Sequence, residues 1–312
     1  MKKIHALLIA ATMCLPVGTS AKTTENSLPD NVLSKILQRD DDDETNSKKR
    51  NHDEDKTTLG ALKGGSKTVT TAEVDAEAAG KTANQLRDLG YNYQNGKGGK
   101  TQDYAKAMMF YRLAADKGSV TALNDIGIMY RRGNGVTQND AEAVAWYRKA
   151  ADKGLKYAQN NLGYMYEKGL GVAQDYTQAF YWYSKAADQN YITSCGNLAW
   201  LYENGYGCEV NYKQAVYYYT KAAESGEAWT QNNLGVLYEK GRGVPLSYTE
   251  ALKWYRKAAE QGNQYGQRNM GHMYEEGLGV SKSISMAKYW YQKAADQGNT
   301  YSKGRLEALK NY

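Results

Sequence analysis

The sequence repeats itself every 36 residues, and this period constrains the fold more than any other feature. Six copies follow one another from residue 82 to the carboxyl terminus, with a single one-residue slip after the first copy. The copies align on a Leu-Gly pair, a Tyr, an aromatic pair and an Ala-Ala pair, which the third copy carries as Leu162-Gly163, Tyr166, Trp182-Tyr183 and Ala186-Ala187. A period of this length is typical of folds in which one unit is stacked many times.

Each copy predicts two helices, because residues that begin and end helices recur at fixed positions. Before the second helix stands a column of side chains that accept hydrogen bonds from free amides: Asp103, Asn139, Asp175, Asn211, Ser247 and Ser283. Three positions later, a reciprocal capping bond is expected from Glu142, Gln178, Gln214 and Glu250. The second helix should end at residues that tolerate a left-handed backbone: Gly118, Gly154, Asn190, Gly226, Gly262 and Gly298. The first helix should stop at the first glycine of a Gly-x-Gly turn.

A single helix pair cannot bury its own apolar faces, so consecutive copies must stack and share one core. Residues 299–312 place Leu306 in register with Met270 and resemble the first half of another copy. We therefore predict an all-α fold, an α/α superhelix (solenoid) of six 36-residue helix pairs that ends in a carboxyl-terminal capping helix.

The segment before the repeats differs in character. Residues 1–21 have the layout of a secretory signal peptide, with Lys2 and Lys3 before an apolar run and small residues up to Ala21. Residues 22–80 carry 9 basic and 13 acidic side chains, including the run Asp40–Glu44, and predict a disordered charged arm. Residues 81–312 form the repeat array, with 29 basic and 21 acidic residues. We expect an exported protein, periplasmic or secreted, without a membrane-spanning helix.

The repeated pattern resembles the Sel-one-like repeat family, a relative of the tetratricopeptide repeats. The match lies in Leu-Gly-x-x-Tyr at 162–166, Gly-x-Gly-Val at 169–172 and Ala-x-x-Trp-Tyr-x-Lys-Ala-Ala at 179–187. The resemblance implies a superhelix that binds other proteins, often in exported bacterial proteins that act in envelope assembly or host contact. Some cysteine-rich members of the family are linked to β-lactam binding, which makes a weak β-lactam hydrolase the alternative. Those members carry a cysteine pair in each repeat, and this chain does not.

The side of the first helices opposite the predicted core is the candidate binding face. Residues 157, 161, 164 and 168 share this arc in the third copy. One column of the face is nearly constant, with Asp125, Asn161, Asn197, Asn233 and Asn269. The next column varies, with Ile128, Tyr164, Trp200, Val236 and His272. We predict that the Asn amides pair with an extended peptide and that exposed Tyr164 and Trp200 anchor it. The alternative is that the Asn column bonds to neighbouring helices and that Trp200 is packed.

Two charged columns have simpler interpretations. Glu167, Glu203, Glu239 and Glu275 follow the repeated Tyr and predict a solvated or salt-bridged face. A basic stripe is possible along Lys149, Lys185, Lys221, Lys257 and Lys293. Such a stripe would suit nucleic acid, but the expected export argues against that partner, so we expect a protein or peptide.

The sequence does not predict an enzyme. Catalysis needs a nucleophile with a base, a carboxylate pair or a metal cluster, placed once rather than copied down a stack. His272 is the one histidine of the array and is expected to be an ordinary surface residue. Cys195 and Cys208 lie at opposite ends of a predicted helix, too far apart for a disulfide. We expect no catalytic residue, no cofactor, no metal and a monomeric chain.

Overall fold

The computed structural model describes residues 71–312, which are all-α. The predicted signal peptide and residues 22–70 of the predicted arm lie outside these residues. In chain order the helices are α1 Thr71–Ala78, α2 Ala83–Asn95, α3 Tyr104–Asp116, α4 Val120–Arg132, α5 Asp140–Ala151, α6 Lys156–Lys168, α7 Tyr176–Ala187, α8 Ile192–Asn204, α9 Tyr212–Glu224, α10 Ala228–Lys240, α11 Tyr248–Glu260, α12 Gln264–Glu276, α13 Ile284–Asp296 and α14 Thr300–Ala308.

Helices α2 to α13 form six pairs, and each pair packs on the next in sequence order. This confirms the predicted solenoid. In every pair the even-numbered helix is the first helix and the odd-numbered helix is the second. All six predicted residues cap the second helices, with a side-chain oxygen that accepts from a backbone amide two or three residues later.

The reciprocal capping bonds predicted for Glu142, Gln178, Gln214 and Glu250 were wrong. The backbone amide that each of these side chains would accept from is already used, because it donates to the carbonyl of the repeated Tyr in the first helix. Asp175, for example, donates to the carbonyl of Tyr166 at 3.0 Å. The capping position is thus tied to the first helix of its own pair. A complete capping box occurs instead at Thr82 and Gln85, where α2 begins.

Glycines allow the close contacts inside and between pairs. In the third pair a Cβ on Gly163 would lie 2.8 Å from the Tyr183 ring, so the missing side chain is what admits the ring. In the second to sixth pairs, the second glycine of the Gly-x-Gly turn approaches the backbone of the preceding pair. Gly171 has a φ of +66°, and a Cβ there would lie 2.2 Å from the carbonyl carbon of Asp140 in the preceding pair. Gly163 therefore allows close packing within a pair, and Gly171 allows it between neighbouring pairs.

Both ends of the array are covered by single helices. Leu309, at the end of α14, is buried against Ala287 and Tyr291, which confirms the predicted capping helix. Helix α1 covers the first pair, where Val74 is buried in the core. Its Glu77 accepts from Lys100 at 2.5 Å. Helix α1 lies within residues 22–80, for which we expected disorder, so residues 71–78 differ from that prediction because Val74 has an apolar surface to cover.

Candidate protein-binding site

The Asn column joins consecutive first helices. Asn161 donates to Asn124 Oδ1 at 3.0 Å, and Asn269 donates to Asn232 Oδ1 at 2.9 Å. Asn197 donates to Asn160 Oδ1 at 3.3 Å. Each of these bonds links a residue to the one 37 positions earlier, and the six Asn side chains are buried. The sequence left open whether the Asn side chains bind a peptide or bond to neighbouring helices, and the structure shows these three bonded to neighbouring helices. Contact of the column with a partner stays a prediction.

The ladder is interrupted between the fourth and fifth pairs. The residue 37 positions before Asn233 is Gly196, which offers no side-chain acceptor. Half-buried Asn233 donates instead to the Tyr219 hydroxyl at 3.2 Å. A Cβ on Gly196 would lie 2.9 Å from Thr230 and 3.2 Å from the Trp229 ring. Gly196 therefore provides no hydrogen-bond acceptor for Asn233, but its lack of a side chain leaves space for Trp229 and Thr230 in the first turn of α10.

Tyr164 and Trp200 are packed side chains rather than exposed anchors. Their exposed fractions are 8% and 9%. The Tyr164 ring lies 4.8 Å from the Arg131 guanidinium, and Trp200 lies 5.0 Å from Tyr206, which belongs to the turn after its own helix. The predicted exposure was wrong because neighbouring long side chains fold over both rings. His272 in the same column is half-buried.

The Glu column is not a solvated face. Glu167 and Glu275 are buried, and each accepts a hydrogen bond of 2.8 Å from the hydroxyl of Tyr183 or Tyr291. Tyr219 makes the same bond to Glu203 at 3.1 Å, and Tyr255 makes it to Glu239. In the first copy Gln94 takes this place beneath Tyr111. Of the two alternatives, a solvated face is wrong for the buried Glu167 and Glu275, because the hydroxyls they bond come from a second helix that the helical wheel of one helix does not include. The salt-bridged alternative holds at these two positions, since Glu167 pairs with Lys168 at 3.3 Å and Glu275 pairs with Arg305.

The carboxyls of this column differ in pKa. Burial raises the pKa of Glu203, and the hydrogen bond from Tyr219 only partly offsets the rise. Burial also disfavours the charged form of Glu275, but hydrogen bonds from Arg305 and Tyr291 outweigh it and hold its pKa below the usual value. The guanidinium of Arg305, on α14, forms an ion pair with this carboxyl. The charged form of the carboxyl is therefore disfavoured at Glu203, whereas at Glu275 it is stabilised by an ion pair.

Three exposed aromatic side chains lie on the second helices. Tyr181, Tyr217 and Tyr289 are 48%, 53% and 48% exposed, and we call them the tyrosine row. Each lies edge-to-face against the aromatic residue that follows it, with ring centroids 4.9 to 5.1 Å apart. Our sequence reasoning missed the row. The signal was the residue before each aromatic pair, which is Tyr in three copies of a column that also holds Met109, Ala145 and Lys253.

The lysine column runs beside the tyrosine row. Its side chains lie over aromatic rings of their own helices, as Lys149 does over Trp146 at 3.9 Å and Lys257 over Trp254 at 4.3 Å. Three residues after each lysine stands an exposed acidic residue: Asp152, Asp188, Glu224, Glu260 and Asp296. The stripe therefore alternates in charge instead of presenting the continuous positive surface that phosphate backbones require.

Cysteine, histidine and carboxyl side chains are the groups whose chemistry would suit catalysis or metal binding. Cys195 is buried and its pKa is raised by burial, Cys208 is half-buried, and the two do not form a disulfide. Within residues 71–312 there is no cluster of His, Cys, Asp or Glu that could hold a metal ion. None of the helices described is both long and apolar enough to cross a bilayer.

The stacked pairs, the inter-helix ladder and the covered ends define an α/α solenoid repeat protein. Six segments match the family described as Sel1 repeat: residues 86–119, 120–155, 156–191, 193–227, 230–263 and 264–299. The chain belongs to the Sel1 repeat family. Proteins of this family generally mediate protein–protein interactions and are typically non-catalytic scaffolds. No curated protein matches the chain.

Two solved structures share the fold. One is c5321, described as a protective antigen present in uropathogenic Escherichia coli strains displaying an SLR fold, with 36% identity and a TM-score of 0.71. The match covers 78% of this chain and 52% of c5321, so the chain spans about half the length of that protein. The other is a Sel1 repeat protein from Oxalobacter formigenes, with 32% identity, a TM-score of 0.66, and coverage of 72% of this chain and 87% of that one.

Proposed function

We propose that this chain is an exported, non-enzymatic scaffold that binds a protein or peptide partner and acts in envelope assembly or host contact. The partner lies along the first-helix face, over the column Ile128, Tyr164, Trp200, Val236 and His272. In the Asn column beneath, Asn161, Asn197 and Asn269 hold first helices in register so that the variable side chains keep a fixed spacing, and Asn233 bonds to the Tyr219 hydroxyl.

The main support for the proposal is that the repeated residues bond the helices to one another, whereas the column on the candidate face differs from copy to copy. The repeated Tyr, Gly, Glu and Asn residues are used inside the stack, where they bond one helix to another. The variable column has different chemistry in each copy, with aliphatic, phenolic, indole and imidazole groups. Side chains that the stack leaves free to vary are those able to give a scaffold its specificity, and Tyr and Trp dominate the energetics of protein interfaces.

Export is supported by two separate features. Residues 1–21 have the charged, apolar and small-residue segments of a signal peptide. The similar protein c5321 is described as a protective antigen. A signal-peptide fusion to a reporter that is active only outside the cytoplasm tests the first feature, and an inactive reporter contradicts export.

Partner capture tests the choice of face. The full chain is used as bait against envelope and host extracts, together with Tyr164→Ala and Trp200→Ala. We expect each variant to lose a partner that the parent retains. Tyr181→Ser and Tyr217→Ser, on the tyrosine row, are the matched controls because they remove aromatic rings from the other side of the helix pairs. Loss of the partner with the control pair alone would move the site to the second helices.

A weak β-lactam hydrolase is the second candidate, through the cysteine-rich relatives that the repeat resembles. Buried Cys195 and the lack of a cysteine pair in each copy argue against it. Hydrolysis of a chromogenic β-lactam by the purified chain, lost in Cys208→Ser, would favour the hydrolase over the scaffold.

A further inference from the structure

Two aliphatic side chains are exposed at the same position of neighbouring copies. Val210 and Leu246 are 51% and 56% exposed, and no other Val, Leu, Ile or Met side chain among residues 71–312 is exposed. They lie in the turns that join the first helix to the second in the fourth and fifth pairs. A single exposed aliphatic residue is ordinary, but two in register on adjacent copies bring apolar surface together.

The other copies use this turn position for a polar residue: Gln102, Gln138, Gln174 and Lys282. Gln174, for example, donates to the Glu167 carbonyl at 2.7 Å and to the Tyr176 hydroxyl at 3.1 Å. The Gln of the first copy makes the same pair of bonds. Val210 and Leu246 have no side-chain donor for these bonds, and they remain exposed. The change to an aliphatic residue therefore serves neither the helix end nor the core.

The apolar surface continues from these turns to the candidate face. Tyr206, in the same turn as Val210, is 39% exposed, and its ring lies 5.0 Å from that of Trp200 in the variable column. Pro245, next to Leu246, is also exposed. We call Tyr206, Val210, Pro245 and Leu246 the turn patch.

The surroundings of the turn patch are positively charged. The charged residues in the two turns and at the helix ends beside them are all exposed, three basic and one acidic: Lys213, Lys240, Arg242 and Glu209. Arg242 of the fifth pair reaches back over the Tyr212 ring at 5.3 Å, and Tyr212 begins α9 two residues after Val210. A partner that brings acidic side chains beside apolar ones is therefore complementary to this surface.

The turn patch has the size of a part of an interface. Its four partly exposed side chains present well under the ~800 Å² that each side of a stable complex buries, so two copies of the chain would not be held together by it alone. Its contact with Trp200 makes it continuous with the first-helix face. A partner that lies over that face covers the turn patch in the same contact.

We propose that the turn patch determines which partner the first-helix face accepts, by taking a segment in which large apolar side chains stand beside acidic ones. The apolar side chains pack on Val210 and Leu246, and the carboxylates pair with Lys240 and Arg242. This deepens the proposed function and rests on it, because the same partner covers Trp200.

The spacing of the copies sets the design of a probe. Helices α8 and α10 are in contact at Gly196, and packed helices lie about 8–10 Å apart. A helical peptide spans about 10 Å between side chains seven residues apart on one face. The probe is a fluorescein-labelled helical peptide of about 18 residues, with two Leu seven residues apart and Glu beside each.

Anisotropy measures binding of this peptide to the full chain. We expect binding that weakens as salt rises. Two matched peptides, one with Ser in place of Leu and one with Lys in place of Glu, should bind at least about fivefold more weakly. The proposal is overturned if the probe does not bind, or if the three peptides bind alike.

The double variant V210Q/L246Q places the Gln of other copies at both positions, so it should keep the fold. We expect it to bind the probe at least about tenfold more weakly, because the apolar contact is lost. Lys282→Gln, at the same position of the sixth copy, is the matched control and should bind within about twofold of wild type. Circular dichroism confirms that both variants are folded. Equal binding by V210Q/L246Q and Lys282→Gln would contradict the assignment of the site.

Other occupants and a failure of the proposed function give different results. A wild-type dimer in sedimentation that V210Q/L246Q does not form would overturn the proposal in favour of a second copy. A captured partner that depends on Trp200 but not on Val210 and Leu246 would overturn it and leave the scaffold function standing. Probe binding that requires Val210 and Leu246, with no captured partner dependent on Tyr164 or Trp200, would support the turn patch and reject the proposed face.

Discussion

At the scale of single residues, the buried Tyr hydroxyls decide what the Glu column can do. In five of the six pairs the buried hydroxyl donates to a carboxylate or an amide oxygen on the first helix of the same pair. Gln94 shows that the acceptor does not need a charge. The ionised form is therefore kept for other reasons, which differ between Glu203 and Glu275.

Glu203→Gln should stabilise the protein at pH 7 by up to about 1 kcal/mol. Burial raises the pKa of Glu203 in the folded state, so the stability linked to this group is complete below about pH 4.5 and is lost as the pH rises through the folded pKa. Gln keeps the acceptor for Tyr219 and removes the cost of ionisation. Urea midpoints at pH 7 and pH 4 measure the effect, and the gain should vanish at pH 4.

Glu275→Gln should have the opposite sign and destabilise the protein at pH 7 by about 1–2 kcal/mol. The folded pKa of Glu275 is lowered, so its contribution is present above about pH 4.5 and is lost as the pH falls through the folded value. Arg305→Gln is the matched partner variant and should show the same pH dependence. Equal urea midpoints for Glu275→Gln and wild type at pH 7 would contradict this assignment.

Asn269→Ala should destabilise the chain by about 1–3 kcal/mol, and Asn197→Ala should cost less. Loss of Asn269 leaves the buried Asn232 Oδ1 without its donor. Loss of Asn197 leaves Asn160 Oδ1 still bonded to Ser194 Oγ at 2.9 Å. Thermal midpoints of the two variants make the comparison, and a larger loss in Asn197→Ala would show that the ladder is not the main stabilising contact at these positions.

The sequence predicted which residues share a column, but it did not predict what each column touches. The spacing placed Asn161, Asn197 and Tyr164 on one side of the first helices. The bond from Asn161 to Asn124 crosses to a neighbouring copy with an offset of 37 residues rather than 36, so comparison of identical positions does not show it. The cover of Trp200 by Tyr206 likewise depends on the path of a turn.

At the scale of helices and turns, the sequence was more informative. Helix ends depend on local chemistry, so the N-caps at Asp175 and Ser247 and the left-handed Asn190, with a φ of +56°, could be predicted from a few neighbouring residues. The capping boxes could not, because the competing acceptor for the cap amide is the carbonyl of Tyr166, which belongs to another helix. Hydrogen bonds between helices, unlike helix ends, could not be predicted from neighbouring residues in the sequence.

Gly171→Ala should destabilise the array more than Gly154→Ala does. Both glycines have positive φ, which costs an alanine about 1–2 kcal/mol. A Cβ at Gly154 meets nothing within 4 Å, whereas one at Gly171 would overlap the backbone of Asp140. The additional loss in Gly171→Ala, read from thermal midpoints, measures the contact between the third pair and the second. Equal midpoints would mean that this contact contributes nothing.

At the scale of the whole molecule, stability should vary along the array. Each pair contacts only its neighbours, so a solenoid loses structure first where a neighbour is missing. Helix α14 supplies the last neighbour, through Leu309 and through the ion pair of Arg305 with Glu275.

Deletion of residues 300–312 should therefore loosen α12 and α13 while α4 and α5 stay protected. Hydrogen exchange of these four helices measures the difference, and Tyr312→Ser, which changes a residue that is 86% exposed, is the control. Uniform loss of protection along the array would contradict nearest-neighbour behaviour and indicate one cooperative unit.

The gap that Gly196 leaves beside Trp229 bears on how this protein can change in length. From the second copy to the fourth, and between the fifth and sixth, the joints share an Asn–Asn bond, so recombination between like sequences could add or remove a copy there and keep the same contact. The joint between the fourth and fifth copies is different, because the large ring on one side fits only the missing side chain on the other. Lineages that lengthen or shorten the rod should therefore inherit these two copies as an inseparable block.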